Sequence, residues 1–171
     1  MIPKRVIPVL LLKNTGLYKT RRFDKPVYIG DPINALKIFN EKEVDELVIL
    51  DITATATNKA PNFEYLRDLS SECFMPLAYG GGINKYEQAA KLFELGIEKI
   101  ALNNSAIENP NLIKEITSVY GNQSVIVSLD TFCALAIYVL TQKIKISSVI
   151  FNFIVPFSIC PKLTFFSKST K

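Results

Sequence analysis

The sequence contains no histidine, and its three cysteines, Cys73, Cys133 and Cys160, include no CxxC pair. These absences exclude the usual zinc-ligand spacings as well as Ser–His and Cys–His nucleophile systems. Widely spaced cysteines in odd number fit reduced thiols, and therefore a cytoplasmic protein. Acid–base chemistry must then come from carboxylates or lysines, and we expect neither a bound metal ion nor a cofactor.

Acidic residues and glycines are missing from the last part of the chain. All 16 acidic residues lie within residues 1–130, together with 15 of the 20 basic ones, whereas residues 131–171 contain five lysines. The formal net charge of +4 therefore comes from the tail and is poor evidence for nucleic-acid binding. We predict no nucleic-acid partner.

Secretory and membrane signals are also missing. The N-terminus has no long apolar segment before a small-residue cleavage site, so no secretory signal is predicted. A membrane span needs about 20 apolar residues. The apolar runs of the tail are shorter and are broken by Gln142, Lys143, Lys145 and Pro156, so a membrane location is not expected.

Short apolar runs alternate with helical patterns along residues 1–130. The predicted strands are 5–12, 46–53, the run from 76 into three glycines, 99–102 and 124–130. Strands that alternate with helices imply right-handed βαβ units and a parallel sheet. A (βα)₈ barrel and a doubly wound sheet both bind ligands at the carboxyl ends of such strands, and both remain open here. Residues 14–30 are interpreted as a long polar lid or binding loop.

Two predicted strands end in small or polar residues suited to binding an anion. Gly80, Gly81 and Gly82 begin the glycine loop (80–83); without Cβ atoms, they let backbone N–H groups approach an anion at a helix start. The asparagine turn (103–105) follows the next strand. Side by side, the two would form a phosphate cradle, but the glycines fit a tight strand-to-helix turn equally well. Asp51, after the second strand, could orient a ligand or cap its turn.

Several blocks fall in the order and spacing of one family: KRVIP (4–8), GDP (30–32), DELVILDITA (45–54), GGGI (80–83), Asn103 and ENP (108–110). Together they resemble the cyclase subunit of imidazole glycerol phosphate synthase, a (βα)₈ barrel of histidine biosynthesis. The resemblance covers residues 1–130, the N-terminal half of a barrel of typically ~250 residues. It implies ammonia-dependent ring closure and cleavage, a carbon–nitrogen lyase activity, on a phosphorylated small molecule. A glutaminase subunit would supply the ammonia.

The resemblance also implies two catalytic aspartates, at the ends of the first and fifth strands. Asp130 matches the second position, but Leu11 stands at the first. Leucine cannot exchange a proton, and loss of one acid–base partner typically costs about 10²–10⁴-fold in rate. Leu11 therefore argues against ordinary cyclase activity. Similar barrels with this substitution are paralogues that work with an amidotransferase in amidating surface-polysaccharide sugars.

Other matching positions concern ligand and ammonia. By resemblance, Gly82, Asn103 and Asn104 bind phosphate, with Asn104 in place of the usual threonine. Lys19 matches a mobile-loop lysine that closes over the ligand, although a solvated loop lysine fits the sequence alone.

Three charged residues match a gate at the amino-terminal mouth of the barrel, through which ammonia would pass. They are Arg5, Glu46 and Lys99. Charges at the starts of parallel strands would converge on the barrel axis and need pairing. Exposed strand ends are the alternative interpretation.

Residues 131–171 do not continue the resemblance and contain neither acid nor glycine. We consider a membrane anchor, a docking segment and out-of-frame translation after a frameshift, and favour the last because composition and resemblance change together. The predicted organisation is thus a half-barrel, 1–130, with an atypical apolar tail. The chain is either a cyclase-type subunit or an inactive half-barrel fragment, which could dimerise through its open sheet edges.

Overall fold

The computed structural model describes residues 5–21, 24–54, 57, 59–128 and 150–151. Its strands are β1 (Val9–Lys13), β2 (Gly16–Arg21), β3 (Asp24–Gly30), β4 (Leu47–Asp51), β5 (Leu77–Gly80), β6 (Lys99–Leu102), β7 (Val125–Val127) and β8 (Ile150–Phe151). Its α-helices are α1 (Pro32–Glu41), α2 (Phe63–Glu72), α3 (Tyr86–Glu94), α4 (Asn104–Glu108) and α5 (Pro110–Tyr120). A 3₁₀ turn, Asn122–Ser124, precedes β7.

The strands form one sheet in the order β3-β2-β1-β4-β5-β6-β7-β8. From β1 through β4 to β8, each neighbouring pair is parallel. These six strands follow chain order without the reversal that defines a doubly wound sheet. The predicted α/β fold of parallel βα units, the N-terminal half of a (βα)₈ barrel, is therefore confirmed.

The connection between β1 and α1 is an antiparallel hairpin of β2 and β3. Residues 14–30 were interpreted as a long polar lid or binding loop; the prediction of a loop was wrong, because most of them form two regular strands. Leu17 is buried in the main core, and the rings of Tyr18 and Tyr28 meet edge to face at 5.6 Å. Because lysines and arginines are frequent in this segment, the apolar residues that pack the hairpin were not recognised in the sequence.

The sheet is buried on both faces. Side chains such as Ile49, Tyr79 and Ile100 face the helices and belong to the main core. A smaller cluster, formed by Val48, Ala78, Ala101 and Ile126, comes from the alternate positions of the same strands. Because successive strand residues point to opposite faces, the second cluster lies on the barrel-interior side of the sheet.

Side-chain caps begin α1 and α2. Asp31 accepts a hydrogen bond from the backbone of Asn34 at 3.1 Å before α1, and Asn62 caps α2 through Tyr65 at 3.3 Å. Within the described ranges, each helix is too short or too polar to cross a lipid bilayer.

Candidate functional site

A cavity of ≈ 470 Å³, here called the rim cavity, lies at the carboxyl ends of the parallel strands. It is lined by Val9, Leu11, Thr20, Leu50, Asp51, Ile52, Gly80, Gly81, Gly82, Ile83, Ala101, Leu102, Asn103, Asn104, Ser105 and Ser128. Enzymes built on parallel βα units bind their ligands at this edge of the sheet.

The glycine loop and the asparagine turn meet in this cavity. Gly80 pairs with Ala101 in the parallel ladder, so the two segments leave adjacent strands. The Ser105 hydroxyl donates a hydrogen bond to the backbone carbonyl of Ile83, which joins them directly. The predicted side-by-side arrangement of the two junctions is confirmed.

The glycines are also required for the turn itself. A Cβ on Gly81 would lie 2.6 Å from the carbonyl oxygen of Asp51. Gly82 has φ +68°, and a Cβ there would meet the carbonyl oxygen of Lys59 and the Cβ of Ala54. The turn interpretation is therefore correct, and the same close packing brings the glycine backbone to the wall of the cavity.

Polar groups at the rim come from both segments. Asn103 is half-buried and Asn104 is exposed, and both line the cavity. Amide side chains can donate to an anion through their NH₂ groups. The site thus combines amide side chains with a backbone segment held in place by packing.

Asp51 organises the neighbouring loop. Its Oδ1 accepts hydrogen bonds from the Thr53 backbone at 2.8 Å, the Thr53 hydroxyl at 2.8 Å and the Ala54 backbone at 3.1 Å. The capping interpretation is confirmed for this oxygen. Burial, and secondarily the Asp51 carboxylate, raises the pKa of the Tyr79 hydroxyl well above its usual range.

Leu11 of β1 and Leu50 of β4 form an apolar part of the cavity wall. Leu11 pairs with Leu50 in the parallel ladder, and both side chains line the cavity. A half-buried leucine there can exclude water but cannot transfer a proton. Asp130, the predicted catalytic carboxylate, lies outside the described residues; Ser128, two residues earlier, is buried and lines the cavity.

The residue of the β2–β3 hairpin that lines the rim cavity is not Lys19, which the family resemblance predicted. Lys19 lies in β2, is exposed and does not line the rim cavity. The next residue, Thr20, does line it. Strand alternation would have identified Thr20, but only once residues 16–21 had been recognised as a strand.

Two of the three predicted gate residues come together at the opposite end of the sheet. The ammonium nitrogen of Lys99 lies 2.5 Å from Oε2 of Glu46. The Glu46 side chain is 6% exposed and that of Lys99 is 24% exposed. Arg5 is exposed, and among the described residues it joins no ion pair.

The part of the chain that the structure describes contains no group of three or more histidine, cysteine, aspartate or glutamate side chains able to hold an ion.

Comparison with known proteins gives consistent similarities. A family model described as histidine biosynthesis protein matches residues 5–153. A Pseudomonas aeruginosa protein provisionally named imidazole glycerol phosphate synthase subunit hisF2 is 53% identical over 130 residues, covering 76% of this chain and 52% of that protein. The imidazole glycerol phosphate synthase subunit HisF of Streptococcus mutans is 38% identical over 130 residues, with the same coverage of both chains. This chain spans about half the length of the curated relatives it matches.

Proposed function

Because this chain belongs to the histidine biosynthesis protein family, we propose that it is the N-terminal half of a cyclase-type subunit of imidazole glycerol phosphate synthase. The whole subunit would carry out ammonia-dependent ring closure and cleavage in the cytoplasm. The observation that carries this proposal is the meeting of the glycine loop and the asparagine turn in one cavity.

The rim cavity would bind the phosphate of a phosphorylated small molecule. Gly82 would offer backbone N–H, and Asn103 and Asn104 would offer amide donors, which suit phosphate oxygens. Lys19, exposed on the hairpin, would need to move to reach the ligand, whereas Thr20 already lines the cavity.

The other end of the sheet would receive ammonia. Glu46 precedes β4 and Lys99 begins β6, so their ion pair lies at the amino ends of strands whose carboxyl ends form the rim cavity. A glutaminase subunit docked at this mouth would release ammonia close to the barrel axis. Arg5 would join the gate in the assembled enzyme.

A second candidate function follows from Leu11. With leucine at the first of the two positions where the family has aspartate, one member of the acid–base pair is missing, which favours a paralogous subunit acting in amidation of surface-polysaccharide sugars. An inactive half-barrel fragment is the remaining alternative.

Phosphate binding is tested first, with the ¹⁵N-labelled chain titrated with inorganic phosphate. The amides of Gly82 and Asn104 should shift saturably. Asn104→Asp should abolish the shifts, because it places a carboxylate where phosphate binds. Asn111→Asp is the matched control, since Asn111 is exposed on α5 and outside the cavity lining. Absence of saturable shifts in the unmodified chain would refute the phosphate site.

Catalysis and partnership are tested separately. Added to a family glutaminase subunit, the chain should stimulate glutamine hydrolysis if it carries the docking mouth. Ammonia-dependent turnover of the cyclase substrate should be undetectable with Leu11 in place. Turnover by this chain would favour the cyclase over the paralogue, and lack of glutaminase stimulation would favour the inactive fragment.

Residues 131–171 are proposed to be an out-of-frame tail. The change of composition after Asp130 supports a break there, whereas the family model, which reaches residue 153, favours a later one. Reading the gene in all three frames beyond the codon for Asp130 separates the two. An alternative frame encoding a Gly- and Asp-containing second half would establish the frameshift.

A further inference from the structure

We propose that Ser105 is a positioning residue that joins the glycine loop and the asparagine turn into one preformed anion cradle. This inference rests on the proposed phosphate-binding function of the rim cavity. Ser105 would not contact the reacting atoms; it would act through the carbonyl of Ile83, which its hydroxyl binds.

The direction of the Ser105 hydroxyl is the first observation. Ser105 is the second residue of α4, and its backbone carbonyl already accepts a hydrogen bond from Asn109 at 2.9 Å within its own segment. Its side chain instead crosses to a residue 22 positions earlier in the sequence. Ser118, deep within α5, bonds instead to a carbonyl of its own helix, that of Glu115 at 2.7 Å, an acceptor that the second residue of a helix does not have.

The anchoring of both partners is the second observation. Ile83 is 3% exposed and Ala106, directly after Ser105, is fully buried, and both belong to the main core. Packing therefore holds the side chains on either side of the hydrogen bond. The hydrogen bond between them therefore holds the glycine loop and the asparagine turn, which line the cavity, in a fixed position relative to each other.

The packing of the glycine loop is the third observation. Gly81 lies against the backbone of Asp51, and Gly82 against Lys59 and Ala54, so one side of the loop is fixed by the preceding βα connection. Ser105 fixes the side that faces the asparagine turn. Donors held in position before binding lose less conformational entropy when an anion binds, so the bond should increase phosphate affinity.

The test compares Ser105→Ala with Ser105→Thr, which retains the hydroxyl, and with Ser118→Ala, which removes an equivalent hydroxyl remote from the cavity. Each full-length chain is titrated with inorganic phosphate while the amides of Gly81, Gly82 and Asn104 are followed by NMR. Ser105→Ala should weaken binding roughly 3- to 10-fold, the range expected for one hydrogen bond. Ser105→Thr should restore it, and Ser118→Ala should leave it unchanged.

The outcomes separate this inference from the function on which it rests. If the unmodified chain binds no phosphate, the proposed function fails. If it binds and Ser105→Ala binds equally well, or if Ser105→Thr binds as weakly as Ser105→Ala, the assignment to the hydroxyl is overturned.

Hydrogen exchange in the unmodified chain provides a measurement that needs no variant to fold. Amides of 81–83 and 103–105 should open with the same free energy, and phosphate should protect both segments together. Independent opening of the two segments would overturn the proposal.

Discussion

The ammonium group of Lys99 and the carboxylate of Glu46 form an ion pair of 2.5 Å across β5, which lies between their strands. Glu46 is almost fully buried, while Lys99 retains some contact with solvent. A buried carboxylate without a partner would be costly, so the pair explains how a charged residue can precede β4 at this depth. The pair lies at the amino ends of the parallel strands.

Glu46→Gln should lower the free energy of unfolding by about 1–3 kcal/mol, because a charge-assisted hydrogen bond is lost while the Lys99 ammonium stays partly buried. Urea unfolding of the purified chain measures the change. Glu98→Gln, at an exposed carboxylate beside Lys99, should change stability by less than about 0.5 kcal/mol. Equal stabilities for the Glu46→Gln variant and the unmodified chain would contradict the importance of this pair.

Gly82→Ala should destabilise the chain by about 2–4 kcal/mol, because φ of +68° disfavours an L side chain and the new Cβ would meet Lys59 and Ala54. Gly30→Ala is the matched control: φ is +153°, but no atom lies within 4 Å of the added Cβ. We expect a loss of about 1–2 kcal/mol there. Comparable losses at the two positions in urea unfolding would show that the close packing of Gly82 contributes little.

The sequence predicts the site well where local pattern and strand order suffice. The Gly80–Gly82 run and the Asn103 turn are local signals, and parallel βα topology alone places the ends of successive strands together. Each of these predictions depends on where a strand begins or ends, which apolar runs indicate clearly. Glu46 and Lys99, by contrast, were expected to lie together only because they match gate positions of the cyclase family, and the structure pairs them.

Features that depend on side-chain direction were not predictable. Thr20 reaches the cavity because residues 16–21 form a strand. This strand was not predicted, since the segment is rich in basic residues. Asp51 fitted two roles until its hydrogen bonds to Thr53 and Ala54 were seen. The hydroxyl of Ser105 binds the Ile83 carbonyl, 22 residues earlier, and only the tertiary structure brings these two groups together.

Leu11→Asp should alter the cavity wall in a way that separates the two enzyme functions. If the chain derives from a cyclase, the restored carboxylate should raise ammonia-dependent turnover of the cyclase substrate by about 10²–10⁴-fold over a background close to zero. The change should also cost about 1–3 kcal/mol of stability, because Leu11 is half-buried beside Leu50.

Leu50→Asp is the matched control for Leu11→Asp, since it places a carboxylate on the adjacent strand in the same cavity. It should produce a similar loss of stability in urea unfolding without turnover. No turnover from Leu11→Asp, in a chain that binds phosphate and stimulates the glutaminase, would favour the sugar-amidating paralogue.

Tyr65→Phe should destabilise the chain in a pH-dependent manner. The Tyr65 hydroxyl donates to the Thr15 carbonyl at 3.0 Å, tying α2 to the turn between β1 and β2, so its loss should cost about 0.5–1.5 kcal/mol near neutral pH. Burial, and then the carboxylates of Asp31 and Asp68, raise the pKa of this phenol above its ordinary value of 10.0. The folded state therefore retains the proton more tightly than the unfolded state, so the contribution of Tyr65 is complete below pH 10 and is lost as pH rises through the folded-state pKa. Urea unfolding of the unmodified chain and of Tyr65→Phe from pH 8 to 11 should show that their difference in the free energy of unfolding shrinks above about pH 10. A constant difference across that range would contradict the raised pKa.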